Sequence, residues 1–266
     1  MLELYHFPGS VCSQRVRLVL AELGIQWTGK VVDILRGEQF KPEYLALNPN
    51  AVVPTLVHDG HAIIESSVIC EYLQDIAPSA DLRPSAPWLR AEMRMWAKHV
   101  DEGLHQAIGT LTGGAKNELL RQQIISSGET IENYLAQIPD ESRRARQLAG
   151  LKQEPGSQVF ANAIRHCMKI AEKMNSALSN APFLAGERYS LADSAMTPYL
   201  LRLERLSMVE IFNRHDNVVR WYALMKERPS FVTAVSAFDT APVIEMLRHG
   251  GERIWRAARD TAIKGS

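Results

Sequence analysis

Over the first 76 residues the apolar positions change period repeatedly, from strand-like to helical and back, and beyond residue 88 the strand period does not return. A chain with that boundary has to set a small α/β unit ahead of a helical one. Residues 2–7 read as a strand. From Cys12 to Leu23 the apolar positions Cys12, Val16, Val19, Leu20 and Leu23 follow helical spacing, and Gly24 is placed to end the helix. "KVVDI" (30–34) is predicted as a second strand, and a helical crossover between two strands favours a parallel pair. "KPEYLAL" follows as a short helix. "PTLVHDGHAIIES" then gives two β-rich runs around Asp59–Gly60, a hairpin signal. "SSVICEYLQDIA" closes the unit as a helix, with Val68, Tyr72, Leu73 and Ile76 expected on one side. The order βαβ, short helix, ββα predicts a four-stranded mixed sheet with helices against it.

Residues 77–88, "APSADLRPSAPW", carry no periodicity and read as a connection. The expected organisation is a first domain at 1–80, a linker at 81–87, a helical domain at 88–250 and a tail at 251–266. Helices are predicted over "WLRAEMRMWAKHVDEGLHQAI", "AKNELLRQQIISSGETIENYLAQI" and "GSQVFANAIRHCMKIAEKMNSAL", and again in 190–206 and 215–227. The polar segment 139–156 is expected to be a loop or a short exposed helix.

Lys and Arg balance Asp and Glu at 30 each, which argues against a nucleic-acid partner. No apolar run approaches the roughly 20 residues of a membrane span. The residues after Met1 enter the strand directly, so no signal peptide is expected. Cys12, Cys70 and Cys167 are odd in number and widely spaced. Reduced thiols in a cytoplasm fit that pattern better than a disulfide framework, and no metal is expected.

Three short stretches bear on function. Pro54, in "NAVVPTLV", begins a strand. It is either an edge device or the second half of a cis Val53–Pro54 bond, which would leave the Val53 backbone free to pair with an extended peptide. "ESS" (65–67) stands before a helix, where Ser66 or Ser67 suits an N-cap. The same geometry binds a carboxylate while Glu65 holds an ammonium, so both charges of an α-amino acid could be met there. The third stretch, "LYHFPGSVCSQRVRLVL", crowds small polar and sulfur-bearing residues into a strand-to-helix turn.

Taken together, the turn, the "VVP" strand entry, the "ESS" helix start and the helical second half resemble the cytosolic glutathione S-transferase superfamily. "LAGERYSLADSAMTPYL" (184–200) resembles that family's helical-domain motif, with Ser190 as cap and Asp193 as its capping-box partner. "RPSF" (228–231) resembles the start of a late family helix. The resemblance implies a thioredoxin-like N-terminal domain, an all-helical C-terminal domain, glutathione as co-substrate and a homodimer, a heterodimer with a related chain remaining open. It also assigns roles. Val53, beside cis Pro54, would pair with the cysteinyl unit, and Glu65 and Ser66 would hold the γ-glutamyl end. Lys41 would reach the glycyl carboxylate or remain an exposed helix-start lysine. Asp101 would touch the γ-glutamyl ammonium across a dimer interface.

For the residue facing the sulfur, Ser10 matches the catalytic serine of serine-type classes, and Ser13 matches a serine of bacterial etherase-like members. Cys12 lies between them, as either a mixed-disulfide thiol or a small apolar residue on the buried face. No tyrosine stands at the tyrosine-type position. The acceptor pocket would be lined by Phe7, Val11, Trp96, His99, Gly103 and residues of 107–114, although Trp96 also suits the core. "LRPSAPWLRAEMRMWAKHVDE", "VICEYLQDIAP" and "IPDESRRARQ" resemble bacterial glutathione-dependent β-aryl etherases, which implies cleavage of lignin-derived aryl ethers and a small hydrophobic aromatic substrate. The alternatives are general conjugation or dehalogenation, a Cys12-dependent thiol reductase, and a non-catalytic member that keeps the fold.

Overall fold

The computed structural model describes residues 1–77 and 81–264, apart from the side chains at 118, 119, 121–123, 125, 142, 143, 146, 147, 149 and 150. The first unit runs β1 (Leu2–His6), α1 (Val11–Glu22), β2 (Thr28–Val31), α2 (Pro42–Leu45), β3 (Thr55–His58), β4 (His61–Ile63) and α3 (Ser66–Asp75). Its sheet has the order β2-β1-β3-β4. β1 pairs parallel with β2, Tyr5 opposite Lys30, and antiparallel with β3, Leu4 opposite Leu56. The βαβ-ββα expectation is met. At the β3–β4 turn Asp59 (φ 49°) and Gly60 (φ 85°) both take left-handed backbone, as a two-residue hairpin turn requires.

Two expectations are corrected in this unit. β2 lies at 28–31 rather than 30–34: it is an edge strand with every residue exposed, so no buried face imprints a period on it. The inward face of α3 is Ile69, Cys70 and Leu73, whereas Val68 (54% exposed) and Ile76 (36%) look outward.

The second unit comprises α4 (Pro87–His99), α5 (His105–Ser126), α6 (Ile131–Ala136), α7 (Glu141–Lys152), α8 (Gln158–Ala177), α9 (Leu191–Arg205), α10 (Asp216–Glu227), α11 (Pro229–Ala234) and α12 (Ala241–Lys264). The helix expected across 88–108 is interrupted by a wide turn at Val100–Leu104. There Gly103 lies so close to the His166 ring that a Cβ would stand 2.7 Å from it. The helix expected at 115–138 divides at Gly128. Its first part belongs to α5, and α6 restarts behind Thr130, whose hydroxyl accepts the Asn133 N–H at 3.1 Å. The polar segment 139–156 contains α7. Residues 251–264 are not a tail but the second half of α12, with Ile254, Trp255, Ala258 and Ala262 buried. Part of the expected linker, 78–80, lies outside the described residues.

α9 is the spine of the helical unit, buried along nearly its whole length. Its start is the predicted capping box. Ser190 N–H donates to Asp193 Oδ2 at 2.9 Å, and the Ser190 hydroxyl accepts the Ala192 N–H at 3.2 Å. Asp193 also receives the Leu184 N–H at 3.1 Å and the Trp221 indole N–H at 2.8 Å. The two units are joined where α1 lies on α9 and α11. Arg228 grips Glu22 through two hydrogen bonds of 2.7 and 2.6 Å, with its guanidinium 4.1 Å above the Tyr189 ring and the Ser230 hydroxyl completing the site.

Candidate active site

Backbone chemistry at the head of α1 creates the site. Ser10 closes a turn onto the Phe7 carbonyl (3.1 Å) and then caps the helix, its Oγ accepting the Ser13 N–H at 3.2 Å. That bond uses an oxygen lone pair and leaves the Ser10 hydroxyl proton without an acceptor among the described residues. The N–H groups of Val11 and Cys12 are likewise unpartnered, as first-turn donors are unless something outside the helix meets them. The helix dipole adds a partial positive charge at the same point. Ser13, one turn deeper, is fully buried and accepts the Phe7 N–H at 3.4 Å. Of the two candidate serines, the structure leaves Ser10 open to a ligand and encloses Ser13.

Cys12 is half-buried, and its sulfur lies 3.7 Å from His105 Nδ1 and 3.9 Å from the Tyr199 hydroxyl, which are themselves 3.1 Å apart. Burial pushes this thiol up, but His105, a hydrogen bond from Ser66 and the charge of Arg15 together outweigh it and bring it below the ordinary thiol range. His105 rises in response, chiefly through the charge of Cys12. Cys70 and Cys167, by contrast, are driven by burial to about 11 and about 12, so they are inert thiols.

Of the glutathione-directed positions, Val53 packs with Phe7 of this turn and Ser66 lies near Cys12. The Val53–Pro54 peptide is cis. The preceding carbonyl, Val52, accepts from the Tyr44 hydroxyl at 2.5 Å and from Asn48 at 2.9 Å. The backbone N–H and C=O of Val53 make no hydrogen bond among the described residues. Ser66 is the first residue of α3, buried, and within hydrogen-bonding reach of Cys12. Glu65 is exposed and held at φ 68°, a left-handed conformation that costs a non-glycine residue about 1 kcal/mol or more. Asn50 donates to its carboxylate at 3.4 Å. The heads of α1 and α3 therefore converge. Lys41 is exposed and paired with Glu38 at 2.8 Å. Asp101 lies 3.6 Å from Arg15 of its own chain.

The expected acceptor pocket is only partly assembled. Phe7 is half-buried beside Tyr5, Val32, Tyr44 and Val53, next to the turn. Val11 is core, 7% exposed. Trp96, His99 and Gly103 are not brought to the turn. The Trp96 indole donates to the Leu184 carbonyl at 3.1 Å and its ring lies edge-on to His99, while Gly103 abuts His166 on α8. Trp96 and Gly103 are therefore packing positions, and His99 lies against Trp96. The α5 stretch 107–114, also expected in the lining, is tied to the turn through His105 just before it and through Thr112, which accepts from the Arg202 that also holds Gly9 O. The sequence reading missed His105, Tyr199 and Arg202. The one available signal was an arginine set within the apolar stripe "TPYLLRLER".

Comparison with known proteins finds matches to both units. The family description "Glutathione S-transferase, N-terminal domain" matches residues 4–81, and "Glutathione S-transferase, C-terminal domain" matches 138–229. Protein LigF of Sphingobium sp. is 34% identical over 72% of this chain and 75% of its own length. The tetrachloro-p-hydroquinone reductive dehalogenase of Sphingobium chlorophenolicum is 32% identical over 88% of this chain and 95% of its own. Among solved structures, beta-etherase LigF superimposes with a TM-score of 0.80 at 26% identity, covering 89% of this chain and 99% of that one. A glutathione transferase homologue from Sulfitobacter, solved with bound glutathione, shares the fold with a TM-score of 0.65 at 24% identity, covering 89% and 97%.

Proposed function

The chain belongs to the glutathione S-transferase family, and on that premise we propose that Ser10 holds bound glutathione as a thiolate for attack on a hydrophobic aromatic electrophile. The observation that carries the reading is the cap: one free hydroxyl proton and two unpartnered N–H groups at the positive end of α1. A thiol of pKa ~8.5 is only a few per cent ionised at pH 7. Lowering that value by about two units, worth ~2.7 kcal/mol, makes most of the bound sulfur nucleophilic. Val53 would pair with the extended tripeptide, Glu65 and Ser66 would hold its γ-glutamyl end, and Lys41 would reach its glycyl carboxylate. Asp101, paired with Arg15, would approach the γ-glutamyl ammonium of a second protomer.

The finer reaction we propose is β-aryl ether cleavage. The thiolate attacks the carbon bearing the aryloxy group, the C–S bond forms as the C–O bond breaks, and the phenolate departs with the electron pair. Similarity to beta-etherase LigF supports it, while similarity to a reductive dehalogenase keeps halide displacement in view. Cys12 supports a second reading, a thiol reductase, because His105 and Tyr199 lie against its sulfur and its ionisation is favoured. There the Cys12 thiolate displaces product from a glutathionyl sulfur, leaving a mixed disulfide that a second glutathione reduces.

A homodimer fits the outward-facing Val68 and Met95 (47% exposed) on α3 and α4. No single helix among the described residues is long and apolar enough to cross a membrane, and the three free thiols suit a cytoplasmic setting. The test is a panel of model β-aryl ethers against a chloronitrobenzene acceptor, run on the wild type, Ser10→Ala and Cys12→Ser. Loss in Ser10→Ala alone supports the transferase, and loss in Cys12→Ser alone supports the reductase. Failure of the folded wild type to be retained on immobilised glutathione would leave a non-catalytic member of the family.

A further inference from the structure

Two cations, on α9 and α5, meet no opposite charge in an ion pair among the described residues, and one of them, Arg202, stands against the same turn. Arg202, 5% exposed, donates through Nη1 to Thr112 Oγ1 at 3.2 Å and through Nη2 to the carbonyl of Gly9, one residue before Ser10. Its Nε is buried without a hydrogen-bond partner. Lys116, one turn beyond Thr112 on α5, is half-buried and makes no hydrogen bond or ion pair among the described residues. Two neighbouring cations are satisfied: Arg205 is paired with Asp239, and Arg17 is taken up by Ala234 O, Pro8 O and His6. Arg15 has a counter-charge, Asp101 at 3.6 Å, although its Nε and Nη1 are buried without hydrogen-bond partners.

We propose that Arg202 and Lys116 form an anion subsite in the acceptor cleft, so that the acceptor carries an ionised oxygen group, a carboxylate or an acidic phenolate, on its aromatic ring. The word acceptor rests on the transferase reading; the anion subsite itself does not. A buried cation without a counter-charge is destabilised, and an entering anion would relieve Arg202 while also meeting the half-buried Lys116. Burial, reinforced by Arg202, already holds Lys116 down to about 8, and burial with Arg205 holds Arg202 down to about 10. The donors on offer are the Arg202 Nε–H and the Lys116 ammonium. Gly109 lies exposed on the same α5 face between His105 and Thr112, and a Cβ built there meets nothing within 4 Å, so no side chain covers that face at this position.

The probes are 2-naphthoate and methyl 2-naphthoate, titrated calorimetrically into the full chain with and without saturating glutathione. The acid should bind about ten-fold or more tightly than its ester, since a hydrogen bond to a charged group is worth that much. Lys116→Met, a mild change at a half-exposed helix position, should remove most of that preference and leave the ester unchanged. Arg202→Gln should do the same. Equal binding of acid and ester to the wild type would overturn the subsite, as would an intact acid preference in Lys116→Met. So would an Arg202→Gln variant that weakens both probes alike, which would make the arginine a clamp on the turn. Glutathione titrated into the wild type reads the transferase proposal separately: its failure to bind, with the wild-type acid preference present, refutes that proposal and leaves the subsite standing.

Discussion

Replacing Ser10 by alanine tests the central assignment, because it removes two separable things. The first is the helix cap, an Oγ that accepts the Ser13 N–H at 3.2 Å; losing it costs about 1 kcal/mol of stability. The second is a hydroxyl proton that, among the described residues, has no acceptor and stands at the open head of α1, where an incoming sulfur could meet it. A hydrogen bond to an ionised group is worth about 1.5–3 kcal/mol. At 1.36 kcal/mol per unit, the pKa of the bound thiol should rise by about one to two units. Chloronitrobenzene conjugation followed against pH gives the readout. In Ser10→Ala the ascending limb of kcat/KM should move up by that amount, with a loss of about ten- to a hundred-fold at pH 6.5. Ser13→Ala is the control: that side chain is fully enclosed, so its loss should lower Tm by a few degrees and leave the limb in place. A shifted limb in Ser13→Ala, or an unmoved one in Ser10→Ala, would refute the reasoning.

Four other outcomes are expected. Alkylation of Cys12 by iodoacetamide at pH 7 should slow several-fold in His105→Asn, because His105, by its charge and its hydrogen bond, does more than any other neighbour to favour the thiolate; an unchanged rate would remove the dyad. Asp193→Ala leaves the Leu184 N–H, the Ser190 N–H and the Trp221 indole without their acceptor, at roughly 3–5 kcal/mol, so calorimetry should show Tm lower by about 10 °C or more. Glu22→Gln, which strips the charge from the Arg228 clamp, should cost about 2–4 kcal/mol in urea unfolding, and Arg228→Met in that background should cost little more. Burial, then the charge of Arg17, holds His6 down to about 4, whereas the unfolded chain takes up that proton near 6.5. Stability therefore falls as pH drops from about 6.5 to about 4 and levels off below, and a His6→Gln variant should escape the loss of about 2 kcal/mol between pH 7 and pH 5.

How much of this was legible follows from the range of the interactions. The Asp59–Gly60 hairpin and the Ser190–Asp193 box are settled by residues within four positions of one another, and both stand where the pattern placed them. β2 slipped because an edge strand with no buried residue leaves nothing for periodicity to detect. No helix is predicted from sequence over α12, and the expected domain end at residue 250 falls inside it, at Gly250–Gly251. Those glycines are required by close approach, since a Cβ on either would collide with the backbone of Ala115 or Leu206. No local pattern announces a contact that distant. The same divide runs through the site. Ser10, Cys12, Ser13 and the Glu65–Ser66 step are contiguous signals, but the groups that surround Cys12 arrive from 93 and 187 residues away.

The proposed preference for Ser10 over Ser13 turns on where one helix begins. Periodicity started the first helix at Cys12, and boundaries read that way carry an error of a residue or two. With the helix starting at Val11, Ser10 becomes the cap, in extended backbone (φ −76°, ψ 126°), its oxygen turned back over the first-turn N–H groups. Had the helix begun two or three residues later, Ser13 would have held that position, and Ser10 would have been an ordinary loop residue with no helix dipole behind it. A thiolate is stabilised by whichever hydroxyl stands at the end of the backbone dipole, and the last open turn, not the spacing to the following "RVRLVL", decides that. The Phe7 carbonyl makes the decision physical. By accepting the Ser10 N–H at 3.1 Å it ends the turn at Ser10, and the Phe7 N–H then falls to the Ser13 oxygen, which closes that serine off from any ligand.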